Sequence, residues 1–168
     1  NCDGEAVEHK TENAIGNQII SEYFKFKNSK TAWVELSQAS GLSLIDKKNR
    51  NPGLTSTYGT GLSINHAIKN GCSEIILSLG GSATNDAGAG IFQALGGELL
   101  DDKNEQIGRG CESLIKVKQI KTPKYLNNIT FQIAYDVSNP LLGVNGATKT
   151  YSMQKGATLD QIEKLEKN

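Results

Sequence analysis

The alternation of apolar and polar positions predicts two strands near the start of the chain. Gln18–Phe26 reads QIISEYFKF, an apolar, β-rich segment with rough two-residue alternation, and Thr31–Leu36 reads TAWVEL. The short polar linker NSK between them is typical of a hairpin turn. We therefore expect the two segments to form an antiparallel pair.

Helical and extended patterns alternate in the middle of the chain. A helix is predicted from Thr60 to Gly71, followed by SEIILSL, a continuous apolar strand of the kind covered on both faces. DAGAGIFQALGG predicts a second helix capped near Gly96, and residues 128–137 a further buried strand. The pattern does not decide the secondary structure of residues 99–127, because ESLIKVKQI fits either helix or strand. This order predicts an α/β layered fold with a mixed, partly parallel sheet flanked by helices.

The last residues carry a helix-start signal. Thr158 and Gln161 have the spacing of a capping box, and an apolar stripe at helical spacing begins at Ile162. The predicted helix stops after about two turns without a glycine or proline stop signal. We therefore expect residues 1–168 to be a single α/β domain and a fragment of a longer chain.

Composition and charge exclude several classes of protein. The 168 residues suffice for one domain with its own core, and Lys+Arg and Asp+Glu both number 18. No basic stripe interleaved with aromatic residues points to nucleic acid, and no apolar run reaches the roughly 18 residues of a membrane span. NCDGEAVEHK does not read as a signal peptide. We expect no membrane partner and a cytoplasmic protein.

Cysteine and histidine usage argues against two kinds of site. The three cysteines, Cys2, Cys72 and Cys111, show no Cys-x-x-Cys spacing, and the chain has only two histidines. A disulfide framework is therefore not expected, and neither is a metal site built from cysteine or histidine.

Two polar clusters follow predicted strands. SLGGSATNDAGAG (Ser78–Gly90) follows EIILSL, and YDVSNPLLGVNGA follows ITFQIA. Ligands of open α/β sheets bind at the carboxyl ends of the strands. If the two strands are parallel neighbours, Asp86 and Asp136 face one crevice.

The glycines of the first cluster allow different interpretations. Gly80 and Gly81 predict a turn that needs positive φ or brings the backbone close to a ligand. Gly88 and Gly90 are better explained by tight packing of a helix on the sheet. Neither the Walker motif nor the dinucleotide fingerprint is present. A phosphate-handling loop of another kind therefore remains open.

The polar residues of this cluster are equally ambiguous. Ser82, Thr84 and Asn85 can cap a helix or donate to a phosphate. Asp86 fits a first-turn residue favoured by the helix dipole, a Mg²⁺ ligand or a base. Two basic residues stand near these segments, Arg50 in a long loop and Lys155 in QKGAT. Either one can pair with an anion or be an ordinary surface charge.

Three segments together resemble the glycerate kinase family. They are SGLSLI…RNPGLTSTYGTG, SEIILSLGGSATNDAGAGIFQALGGELLD and DVSNPLLGVNGA…QKGAT, and the likeness covers roughly Gln18 to the end. Members have two α/β domains, one inserted into the other, and transfer the γ-phosphoryl group of ATP to a hydroxyl of D-glycerate. The resemblance implies ATP and Mg²⁺ as cofactors and the second domain as a partner. Segments of that second domain are absent here, so the chain alone is expected to be inactive.

The resemblance also implies site residues by position. Asp86 or Asp136 would be the base or the Mg²⁺ ligand, with exchangeable roles, and Lys155 would contact phosphate or substrate charge. Arg50 would lie near the substrate carboxylate. The cleft would be lined by further residues: Gly80, Gly81, Ser82, Thr84, Asn85 and Asn139. At Ala87 many members carry glycine. A non-catalytic module that binds an organic acid or a sugar is the alternative, and the oligomeric state and the phosphorylated hydroxyl stay open.

Overall fold

A computed structural model describes residues 3–168, so Cys2 lies outside the described residues. Within them, five strands form one mixed sheet in the order β1-β2-β3-β4-β7, and β5 and β6 form a second, two-stranded sheet. The strands are β1 (Gly4–Glu12), β2 (Gln18–Phe26), β3 (Thr31–Glu35), β4 (Glu74–Ser78), β5 (Glu98–Leu100), β6 (Gln119–Lys121) and β7 (Thr130–Ala134). The helices are α1 (Ser37–Ser40), α2 (Tyr58–Lys69), α3 (Ala89–Ala94), α4 (Cys111–Leu114), α5 (Ala147–Tyr151) and α6 (Leu159–Lys167).

The sheet combines an antiparallel and a parallel half. β1 pairs with β2 and β2 with β3 in antiparallel fashion, which confirms the predicted hairpin. β4 runs parallel to both β3 and β7. The carboxyl ends of β4 and β7 therefore lie side by side, which meets the condition for one crevice. The mixed, partly parallel α/β fold is confirmed.

Strand β1 was not predicted from the pattern. Its inward positions include His9 and Thr11, both buried, so the strand lacks apolar alternation. Helix α2 supplies one partner to each side chain, while His9 Nδ1 is buried without a partner among the described residues. His9 is within 2.8 Å of the Ser63 hydroxyl, and Thr11 donates to the Gly59 carbonyl at 2.8 Å. Strand β1 pairs with β2 over its full length, and α2 accommodates its polar inward side chains.

The main core lies between α2 and one face of the sheet. Ile64 and Ala67 of α2 are fully buried against Val34 and Ile75 of neighbouring strands. The opposite face is only partly covered, and the burial of β4 alternates along the strand. Strand β7 is exposed at most positions. The expectation that these strands are covered on both faces is therefore wrong for the described residues.

Several predicted boundaries shift for local reasons. Helix α3 starts at Ala89 rather than Asp86, because Ala87 (φ 50°) and Gly88 (φ 78°) adopt left-handed conformations that a helix does not continue through. Strand β7 ends at Ala134, two residues before Asp136. ESLIKVKQI is part helix α4 and part strand β6. The predicted capping box at the start of α6 is confirmed.

Glycines serve a different purpose from the predicted one at two positions. A Cβ on Gly90 would meet the Ser56 hydroxyl and the Tyr58 amide nitrogen, so this glycine permits close approach to the start of α2 rather than to the sheet. At Gly88 a Cβ would meet nothing, and its positive φ is what favours glycine. Gly81 has φ 65°, as the turn prediction requires.

Candidate functional site

The two polar clusters open into one cleft at the carboxyl ends of β4 and β7. Its volume is about 1240 Å³. This exceeds the roughly 300–1000 Å³ of a pocket for one small ligand, so it leaves room for more than one substrate. Seven of the predicted site residues line it: Ser82, Thr84, Asn85, Asp86, Asp136, Asn139 and Lys155.

Three other predicted residues do not line this cleft. The Arg50 guanidinium donates to the Ile45 carbonyl at 3.2 Å and to the Leu42 carbonyl at 3.1 Å, so it ties its own loop together. The Gly81 carbonyl accepts from the Leu42 amide at 2.9 Å. Gly80 is exposed and also lies outside the lining. Gly81 and Arg50 therefore fix the loops behind the cleft.

The Asp86 carboxylate is buried, and both of its oxygens accept hydrogen bonds from protein groups. Only 1% of the residue is exposed. One oxygen, Oδ2, accepts from the Thr57 amide at 2.8 Å, the Thr57 hydroxyl at 3.0 Å, the Gly90 amide at 3.1 Å and the Ser56 hydroxyl at 3.3 Å. The other, Oδ1, accepts from the Gly88 amide at 3.3 Å. Five donors thus compensate the burial of this charge, and they compete with any metal ion or substrate proton.

The loop next to Asp86 offers backbone donors. Between residues 80 and 87, the Ala83 amide bonds to the Ser40 carbonyl at 2.9 Å. The amides of residues 84–87 have no acceptor among residues 3–168. Consecutive free amides beside a left-handed turn are typical of anion-binding concavities in proteins. Because residues 84–87 line the cleft, their amides are candidate donors to negatively charged oxygens.

Lys155 places a positive charge beside this loop. Its ammonium donates to the Thr84 carbonyl at 2.6 Å, and only 9% of the residue is exposed. Burial lowers the pKa of Lys155 to about 8, and the negative charge of Asp86 opposes the shift. The ammonium is therefore charged at neutral pH, but it is poorly solvated. A phosphate oxygen is a natural partner for such a group.

Carboxylates on the other walls are less engaged. Asp136 is exposed, and it makes no hydrogen bond or ion pair with residues 3–168. Glu166 of α6 also lines the cleft, and its Oε2 is buried without a partner in the described part of the chain. Asn139 accepts from the Tyr151 hydroxyl at 2.7 Å and donates to the Asn145 carbonyl at 2.9 Å, so it organises the segment after Asp136.

The arrangement fits a metal ion only in part. Across residues 3–168, no group of three or more His, Cys, Asp or Glu side chains is placed to hold one. Asp86 Oδ2 accepts four hydrogen bonds and Oδ1 accepts one at 3.3 Å, whereas the Asp136 oxygens have no partner among residues 3–168. Mg²⁺ bound to a nucleotide needs only one or two protein carboxylates, because phosphates and waters complete its octahedron. Asp136 fits that requirement with both oxygens, whereas Asp86 keeps accepting capacity mainly at Oδ1, which has a single donor at 3.3 Å.

Sequence reasoning missed Ser56, Thr57 and Glu166. Ser56 and Thr57 stand just before α2, where Ser and Thr usually cap a helix. The structure shows that Thr57 makes no such cap with its own side chain, and that the Asp86 carboxylate meets the start of α2 instead. The signal was the Ser-Thr pair ahead of the helix. Its partner 29 residues away could not be read from the sequence.

Comparison with known proteins agrees with this architecture. The model of the glycerate kinase family matches residues 1–168, which includes the first residues that looked unlike the family in sequence. A glycerate kinase of Halalkalibacterium halodurans is 43% identical over 166 residues, covering 97% of this chain and 44% of that protein. The glycerate 2-kinase of Escherichia coli is 39% identical over 158 residues, covering 92% and 41%.

A solved structure extends the likeness to three dimensions. The crystal structure of a Salmonella typhimurium LT2 protein assigned as glycerate kinase 2 superposes with a TM-score of 0.92 at 36% identity. It covers 98% of this chain and 45% of that one. The chain thus spans less than half the length of the relatives it matches. No helix among the described residues is long and apolar enough to cross a membrane. Fold, cleft and family match together show that the chain belongs to the glycerate kinase family.

Proposed function

We propose that the enzyme containing this chain transfers the γ-phosphoryl group of ATP to a hydroxyl of D-glycerate. The observation that carries the proposal is the family match, which spans residues 1–168. The cleft supports it, because free backbone amides and a buried ammonium meet an exposed carboxylate there. A non-catalytic binding module is not favoured, since the named relatives quoted above are kinases.

Phosphoryl transfer asks the protein mainly to position the reactants and to stabilise charge. We assign Asp136 as the group that orients the glycerate hydroxyl and accepts its proton, because its carboxylate is exposed and unpaired within the described chain. The amides of residues 84–87 and the Lys155 ammonium would hold phosphate oxygens. Mg²⁺ arriving with ATP would neutralise phosphate charge. Ser82 and Asn85 would contact substrate from the same wall.

Residues 1–168 would form one α/β domain of a two-domain cytoplasmic enzyme. The chain spans 44% of its Halalkalibacterium relative, so the remaining part of such an enzyme is larger than this one. That part would close the open side of the cleft and exclude water. We therefore expect the 168-residue chain alone to show no turnover.

The full-length enzyme tests this proposal. Purified protein is incubated with D-glycerate, ATP and Mg²⁺, and ADP release is followed together with ³¹P and ¹³C NMR of the product. We expect one phosphoglycerate isomer, and NMR distinguishes the 2-phosphate that the name of the Escherichia coli relative suggests from the 3-phosphate. L-glycerate and glycolate serve as comparison compounds that test the specificity for D-glycerate. Saturable binding of glycerate without ADP release would contradict the proposal and favour a binding module.

A further inference from the structure

The backbone beside the free amides is strained. Ala87 and Gly88 are consecutive left-handed residues, with φ 50° and 78°. A non-glycine residue in this region costs roughly 1–2 kcal/mol. Such a conformation persists only where surrounding contacts determine it. The contacts that could hold this turn converge on one neighbouring side chain, Asp86, and on its partners in the segment before α2.

Thr57 joins three parts of the structure through one hydroxyl. The hydroxyl donates to Asp86 Oδ2 at 3.0 Å and accepts from the Ile91 amide in the first turn of α3 at 3.1 Å. The Thr57 amide also donates to Asp86 Oδ2, at 2.8 Å. Only 2% of Thr57 is exposed, so water does not compete for these bonds. Its hydroxyl therefore fixes both ends of the strained turn, Asp86 before it and α3 after it.

Steric fit makes this contact specific. A Cβ on Gly90 would meet the Ser56 hydroxyl and the Tyr58 amide nitrogen, so the backbones of α2 and α3 touch at this point. A Cβ on Gly61 would likewise meet Ala94 and Ile91. The two helix starts thus have little room to shift, and the direction of the Thr57 hydroxyl is determined.

We propose that Thr57 is a positioning residue for phosphoryl transfer, acting through Asp86. Its hydroxyl locks the left-handed turn so that residues 84–87 keep their place on the cleft wall. The inference rests on the proposed function for its catalytic consequence. Asp86 in this arrangement holds the loop and does not take the substrate proton. Thr57 lines the cleft but is only 2% exposed, and the Asp86 carboxylate and the Ile91 amide engage its hydroxyl, so we assign it a positioning role rather than a substrate contact.

The test compares Thr57→Val and Thr57→Ser in the full-length enzyme, with steady-state kinetics at saturating ATP. Thr57→Val removes the hydroxyl at nearly constant shape, and we expect kcat to fall about 10- to 100-fold, since misplacement of a reacting group by about 1 Å costs that order. KM for glycerate should change less than about threefold. Thr57→Ser restores the hydroxyl and should keep kcat within about threefold of the wild type.

Thr11→Val is the matched control. Thr11 is also 2% exposed, and it loses a comparable buried bond, to the Gly59 carbonyl of α2, but it does not contact Asp86 or the cleft. It should keep kcat. Equal losses of kcat in Thr11→Val and Thr57→Val would overturn the proposal, and so would unchanged kcat in Thr57→Val. Should Thr57→Val not fold, Ser56→Ala is the second variant, because it removes the 3.3 Å bond to Asp86 Oδ2 together with the 3.2 Å bond that the Ser56 hydroxyl accepts from the Tyr58 amide.

Amide hydrogen exchange tests whether Thr57 holds the left-handed turn, independently of the proposed reaction. The Gly88 and Gly90 amides, which donate to the Asp86 carboxylate, should exchange at least about tenfold faster in Thr57→Val than in Thr11→Val. A wild-type enzyme without glycerate kinase activity would refute the proposed function, whereas the exchange comparison would still decide whether Thr57 holds the loop. Equal exchange rates in both variants would show that Thr57 does not hold the turn, even if the enzyme is active.

Discussion

The Lys155 ammonium donates a 2.6 Å hydrogen bond to the Thr84 carbonyl, which joins the segment before α6 to the glycine-rich loop after β4. The two groups are 71 positions apart in the chain. Burial lowers the pKa of Lys155 to about 8, against a usual value of 10.5. The charge that we assign to phosphate binding is thus lost within an accessible pH range.

The pH dependence of turnover should report this group. In the full-length enzyme, kcat/KM should fall about tenfold per pH unit above pH 8, because the free enzyme loses the Lys155 charge. Lys155→Arg stays charged, so the alkaline decline should move beyond pH 9.5, and Lys155→Met should be impaired at every pH. Lys164→Arg, at an exposed position of α6, is the control and should leave the profile unchanged.

The stability of the folded protein should also depend on the protonation of Lys155, and the direction of this dependence on pH follows from its pKa. Because the pKa of Lys155 is lower in the folded than in the unfolded protein, the unfolded chain binds more protons between pH 8 and 10.5. The contribution of Lys155 to the free energy of unfolding therefore rises with pH across that window. The difference between wild type and Lys155→Met in thermal unfolding at pH 8 and pH 10 checks the sign. For the kinetic prediction of the preceding paragraph, a flat kcat/KM profile up to pH 9.5 would show that Lys155 does not bind phosphate.

Asp136 and Asp86 should respond differently to the same substitution. Asp136→Asn should lower kcat by roughly 10²- to 10⁴-fold, the usual contribution of a general base, without changing thermal unfolding, because the side chain is exposed. Asp86→Asn should lower both kcat and the unfolding temperature, since a neutral amide replaces a carboxylate that accepts five hydrogen bonds. Asp160→Asn is the exposed control. Unchanged turnover in both variants would refute the site assignment.

The sequence predicts strands better than it predicts their surroundings. Strand β2 was predicted with its observed bounds, because apolar alternation and turn residues are local signals. Strand β1 was missed because its inward residues His9 and Thr11 are polar, and their partners lie in α2, whose position no local pattern encodes. The predicted burial of β7 was wrong because cover depends on what packs against a strand, not on the strand's own residues.

The sequence predicted the location of the site but not the hydrogen bonds and exposure of its residues. The rule that ligands bind at the carboxyl ends of parallel strands brought Asp86 and Asp136 to the same cleft. The rule says nothing of exposure, and the structure shows one carboxylate buried under five donors and the other free. Arg50 was placed near substrate by resemblance, yet its guanidinium bonds to carbonyls of its own loop. Side-chain hydrogen bonds of this kind leave no periodic signal.

Gly90 should tolerate no side chain. Gly90→Ala should destabilise the enzyme by roughly 1–3 kcal/mol, the usual cost of overpacking, because the added methyl would meet the Ser56 hydroxyl and the Tyr58 amide. Gly80→Ala is the matched control from the same loop, since a Cβ there meets nothing within 4 Å. Thermal unfolding of the full-length protein measures both. Equal unfolding temperatures for the two variants would contradict the close approach of α2 and α3.

Buried His9 should make the protein less stable in mild acid. The His9 and His66 rings stack with centroids 4.9 Å apart, and His9 Nε2 lies 2.8 Å from the Ser63 hydroxyl. Burial lowers the pKa of His9, and the neighbouring His66 lowers it further. Because the folded protein binds this proton less readily than the unfolded chain, the contribution of His9 is complete above about pH 6.5 and is lost as the pH falls below that value.

Unfolding measured between pH 7.5 and pH 5 checks this dependence. The wild-type protein should lose stability with a His9 contribution of at most about 1.4 kcal/mol per pH unit, the limit for one proton. His9→Gln keeps a polar side chain that can reach Ser63 but does not titrate, so its curve should be shallower over the same range. His66→Gln removes the neighbouring charge and should also flatten the curve. Parallel curves for the wild type and His9→Gln would show that the buried histidine does not control the acid sensitivity.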